Sequence, residues 1–118
     1  MAKTGKTIND VIRGDTRTIN LTFLDTDGST ALNLTGGTVY FTVNSSSDPS
    51  DDTSVAFQKS ATSFTSATTG KHTFTLTHAD TNITPATYYY DAQFVDSVGN
   101  YLSSYRGKFI IVSDVTRT

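Results

Sequence analysis

Apolar and polar residues alternate along most of this chain in short runs, and the runs are separated by Gly, Asn, Asp and Ser. Alternation with a period of two marks strands with one buried and one solvated face. TRTINLTFL (16–24) sends Ile19, Leu21 and Phe23 to one face and Asn20, Thr22 and Leu24 to the other. TVYFTVN (38–44) does the same with Val39, Phe41 and Val43, and KHTFTLT (71–77) with Phe74 and Leu76. In TYYYDAQFV (87–95), Tyr88, Tyr90, Ala92 and Phe94 share one face, and Tyr89, Asp91, Gln93 and Val95 share the other. Further strands are expected at an edge over 7–13 (TINDVIR), over 53–59 (TSVAFQK) and over 101–112.

The breaks between these runs carry their own signals. DTDG (25–28) is a tight turn in which Gly28 takes positive φ at little cost, and SVGN (97–100) is a hairpin turn. DTDG followed by Ser29 also starts like a calcium loop, but the later acidic ligands and the closing Glu are missing. HADTN (78–82) reads as one helical turn or a corner, with Asp80 capping locally and Pro85 preventing a longer helix. SSSDPSDD (45–52) and the Ser/Thr-rich stretch 60–69 offer nothing to bury and are expected to be the mobile loops. The expected fold is all-β: an immunoglobulin-like antiparallel β-sandwich of seven or eight strands with Greek-key connections. Residues 1–6 are expected as an N-terminal arm, 7–114 as the sandwich and 115–118 as a C-terminal tail. No helical run long enough for a βαβ crossover interrupts the pattern.

Within such a sandwich the tyrosine run divides. A tyrosine that follows a corner and opens the penultimate strand packs inward and bonds backbone upstream through its hydroxyl, and Tyr88, after Asp80, Pro85 and Ala86, fits that role. Tyr90 joins it in the core. Tyr89 points outward beside Asp91, Gln93 and Val95, and with Tyr40 these form the candidate interaction residues.

Composition supports the strand reading: all eleven acidic residues are Asp, there is no Glu, and Thr supplies about a fifth of the chain. Glu favours helices, whereas Asp favours turns and β-branched Thr a pleated surface. The net charge of −2 is scattered, giving neither a basic stripe for nucleic acid nor a polybasic membrane anchor. The absence of cysteine removes disulfides and thiolate metal sites. His72 and His78 have neither HExxH nor HxH spacing, and there is no G-x-S-x-G elbow or phosphate loop. No enzymatic activity, cofactor or metal is expected. The start of the chain lacks the apolar core of a signal peptide, so synthesis in a cytoplasm is expected.

DTRTINLTFLDTDGSTALNLTGGTVYFTV (15–43), GKHTFTLTHADT (70–81), PATYYYDAQFVDSVGN (85–100) and GKFIIVSDVT (107–116) together resemble the N-terminal immunoglobulin-like domain of phage baseplate upper proteins. The resemblance implies a virion structural part without catalytic residues, docked in a tail, baseplate or capsid. Members of that family continue into a trimerising helical or fibre segment, whereas this sequence stops at Thr118, so the expectation is a small adaptor or decoration protein. Its expected partners are other virion proteins and further copies of itself, as a trimer or larger assembly. The alternative expectation is a carbohydrate-binding or host-surface adhesion module, with Tyr89, Tyr40 or Tyr101 stacking on a host glycan.

Overall fold

The computed structural model describes residues 2–4, 7–24, 30–45 and 55–113, with the side chains of 2–4 and 102–105 outside that description. The fold is mainly β. Its elements are β1 (Ala2–Thr4), β2 (Ile8–Ile12), β3 (Arg17–Thr22), β4 (Thr38–Asn44), β5 (Val55–Ala61), β6 (Lys71–Leu76), α1 (His78–Thr81), β7 (Ala86–Val95) and β8 (Tyr101–Val112). The DTDG turn, most of the 45–52 loop and the 115–118 tail lie outside the described residues.

Two sheets form. The larger one runs β1–β8–β7–β4–β5 with β2 also on β8, and the smaller is the pair β3–β6. Residues 7–13 do supply an edge strand, but it does not run antiparallel as expected. Both β1 and β2 pair with β8 in parallel, β1 against its first half and β2 against its second. Ala2–Thr4, within the stretch expected as an arm, thus join the sheet. Alternation reports which face a residue takes but not which strand lies alongside, so the sequence pattern was silent on this pairing.

β2 is interrupted by a bulge between Ile8 and Val11, where Asp10 takes a φ of 55°. Asp tolerates this left-handed region better than most residues. The Arg17 guanidinium donates to the carbonyls of Asn9 and Asp10 in the bulge, both at 3.3 Å.

The inward faces meet in one core, in the positions that alternation predicts. Ile19, Leu21 and Phe23 from the β3 run, Val39, Phe41 and Val43 from β4, Phe74 and Leu76 from β6, and Tyr88, Tyr90, Ala92 and Phe94 from β7 are all buried. Each fully buried Phe contributes roughly 2–3 kcal/mol of hydrophobic stabilisation. Phe41 and Phe74 touch across the two sheets with ring centroids 6.3 Å apart, and Phe41 stacks on Tyr90 at 5.5 Å. The aromatic contacts continue from Phe74 to His72 at 4.5 Å and from His72 to Phe64 at 5.6 Å.

That last contact corrects the expectation for 60–69. Phe64 and Ala67 pack partly buried against the core, and a 3₁₀ turn at Ala67–Thr69 leads into β6. The turn ends on Gly70 at φ 71°, where an added Cβ would lie 2.4 Å from the Phe23 carbonyl oxygen. Glycine there lets two chain segments touch, and the Gly70 carbonyl accepts from Phe23 N at 2.8 Å.

After β6 the chain turns through α1, which is closed by a capping box. Thr77 accepts from Asp80 N through its hydroxyl, and the Asp80 carboxylate accepts from Thr77 N at 2.8 Å. The same carboxylate pairs with Lys59 of β5 at 2.7 Å, joining the far edge of the large sheet to the corner after the small one. Burial alone would raise the Asp80 carboxyl. Hydrogen bonds from Lys59 and Thr77, together with the Lys59 charge, hold it below the usual carboxylate range instead. Beyond the corner, Tyr88 donates its hydroxyl to the Thr84 carbonyl at 2.6 Å, the upstream backbone bond read from the sequence.

Candidate functional site

The outer face of the large sheet gathers all five candidate interaction residues. Tyr89, Asp91, Gln93 and Val95 lie along β7, and Tyr40 lies beside them on β4, opposite Gln93. The strand register extends this face into rows. Asp91 stands between Arg106 of β8 and Thr42 of β4, and Thr42 in turn stands opposite Gln58 of β5, whose amide donates to the Thr42 hydroxyl at 2.8 Å. Tyr89 is flanked by Lys108 and Asn44.

Electrostatics single out Asp91. Its position in mid-sheet removes water from one side, and this burial pushes the carboxyl above the usual carboxylate range, while the Arg106 charge pulls it back in part. Half-buried Asp91 and exposed Arg106 thus place opposite charges next to each other on this face.

Tyr40 and Tyr89 do not form one aromatic platform. Tyr40 is level with Gln93, four residues along β7 from Tyr89, a separation of about 13 Å at the usual strand rise. Nor is Tyr89 a freely exposed ring: it is half-buried, as are Tyr40 and Val95. The exposed tyrosine among the described residues is Tyr101, which retains 70% of its surface and stands opposite Val95 at the end of the β7–β8 hairpin. Beside it in the turn, Val98 is 79% exposed.

Comparison of the chain with protein-family models, with curated proteins and with solved structures finds no match. The residues themselves must carry the reading.

At the opposite end of the same face, Ile12 is exposed and pairs with Val112, and Ile110 lies two positions away on β8. Sequence reasoning missed this apolar end because the IIV run at 110–112 does not alternate, and its outward members appear only once Phe109 and Ile111 are known to be buried. The face therefore reads as a charge couple bordered by tyrosines, with apolar residues at both ends.

The histidines stand elsewhere. His72 faces Phe64 and Phe74, and its Nδ1 accepts from Thr65 N at 3.3 Å, so the acceptor nitrogen is unprotonated. Burial holds its pKa below the ordinary histidine value. His78 lies at the corner with Nδ1 against the Gly14 carbonyl. Among the described residues, no three His, Asp, Glu or Cys side chains come together in a way that would hold a metal ion.

Proposed function

We propose that this chain is a bacteriophage virion structural protein, an immunoglobulin-like module that docks through the outer face of its large sheet onto other proteins of the tail, baseplate or capsid. The observation that carries the docking role is the face itself: Asp91 and Arg106 paired in register between tyrosines, with apolar residues at each end. Interfaces of this kind combine aromatic and apolar anchors with a few charges that fix the register.

The immunoglobulin-like reading is supported by the strand order. A β3–β6 pair faces a β8–β7–β4–β5 sheet, the N-terminal segment runs along the edge of the last strand, and Tyr88 closes the corner before the penultimate strand. Neighbouring subunits, including further copies of the same chain, are the partners this reading assigns.

The test is compositional. Particles purified from a genome that carries this chain should contain it at a fixed copy number by quantitative mass spectrometry, and its absence from them rejects the proposal. Asp91→Arg, which places two like charges opposite each other, should leave a folded protein whose incorporation drops by roughly tenfold or more.

A further inference from the structure

The tip of the β7–β8 hairpin has a different construction from the docking face. Asp96 organises it from one side chain: Oδ1 accepts from Val98 N at 3.0 Å and from Asn100 N at 2.8 Å, and Oδ2 accepts from Asn100 Nδ2 at 3.3 Å. Two backbone bonds close the same turn, Asp96 N to Asn100 O at 2.9 Å and Gly99 N to Asp96 O at 3.1 Å. Gly99 completes it at φ 92° with open space around it.

The residues this frame displays are apolar. Val98 and Tyr101 are the two most exposed large hydrophobic side chains among the described residues, at 79% and 70%, and both belong to this one turn. Isolated exposed apolar residues are ordinary, but here two lie together in one hydrogen-bonded hairpin turn. Ordering entropy is a large part of the cost of binding, and a turn already fixed by five hydrogen bonds has little left to lose.

We infer that the 96–101 turn is the apolar anchor of the docking surface, a plug that inserts Val98 and the Tyr101 ring into an apolar recess on a different protein of the same particle. This rests on the docking reading above and deepens it. Three observations choose the occupant. Tyr101 stands opposite Val95, so the plug is continuous with the outer face. The turn carries no Lys or Arg, which removes the attraction an anionic membrane would need. Its two-residue apolar tip, at a hairpin end with open space around Gly99, suits a concave pocket, the setting in which buried anchors contribute most of an interface's energy.

The experiment compares particle incorporation of the wild-type chain with Val98→Asp and Tyr101→Ala, after checking that each variant keeps the wild-type melting temperature. Wild type incorporated with each variant reduced by about tenfold or more is the expected result. Wild type and variants incorporated alike overturns the plug while leaving the docking function in place; wild type absent from particles overturns both. Sedimentation of the isolated chain and a glycan array provide the remaining arms. A self-association abolished by Val98→Asp, or glycan binding abolished by Tyr101→Ala, assigns the tip to a second copy or to sugar and overturns a separate protein partner.

Discussion

Tyr88 shows how one hydroxyl fixes a chain reversal. Its ring is buried in the core while its oxygen reaches the Thr84 carbonyl at 2.6 Å, so the corner cannot rotate without either exposing the ring or breaking the bond. Tyr88→Phe keeps the ring and deletes the bond. It should lower the unfolding free energy by about 1 kcal/mol in urea titrations, with the slope against denaturant unchanged. This residue was legible in advance because the requirement is local: a corner, a Pro three positions upstream, and an inward tyrosine at the strand's start. Tyr89, one residue further on, was legible as to face and not as to exposure. Its surroundings depend on Asn44 and Lys108, which come from two other strands.

Among the elements, the segment between β5 and β6 departs furthest from its sequence. Its Ser and Thr content hides the one Phe that matters. Phe64 packs against the His72 ring, Thr65 N donates to the imidazole, and the Thr65 hydroxyl accepts from Thr73 N at 3.1 Å. This latch should respond to pH. Burial places the folded-state pKa of His72 below its unfolded value of about 6.5. The unfolded chain therefore takes up the proton first, so the stabilisation is complete above that value and declines as pH falls toward the folded-state pKa. Thermal melts between about pH 7 and pH 5 should show wild type losing stability relative to His72→Gln, which cannot titrate. A wild-type minus variant difference that is flat across this range would refute the latch. Strand faces were readable throughout because alternation is written in adjacent residues. Pairing partners were not, since β2 meets β8 about a hundred residues away and nothing in either segment encodes the other.

At the scale of the molecule, the two sheets are joined by their core and by the Lys59–Asp80 pair, which links β5 to the corner after β6. Asp80→Asn preserves an acceptor for the Thr77 cap and removes the charge. The loss should be about 1 kcal/mol, reduced further by added salt because both groups retain contact with water. The Asp80 carboxyl is held low when folded, so the wild-type advantage is present above about pH 4 and disappears as pH falls through the folded-state pKa. Chemical denaturation of both proteins at neutral pH and at a series of acidic pH values below about 4 checks both statements. The parallel pairing of β2 with β8 has a mechanical consequence. Tension that enters at the start of β2 and leaves at the end of β8 pulls these neighbours past each other, loading all the hydrogen bonds between them in shear at once. A domain strung this way resists stretching along its chain direction better than one whose strands unzip bond by bond.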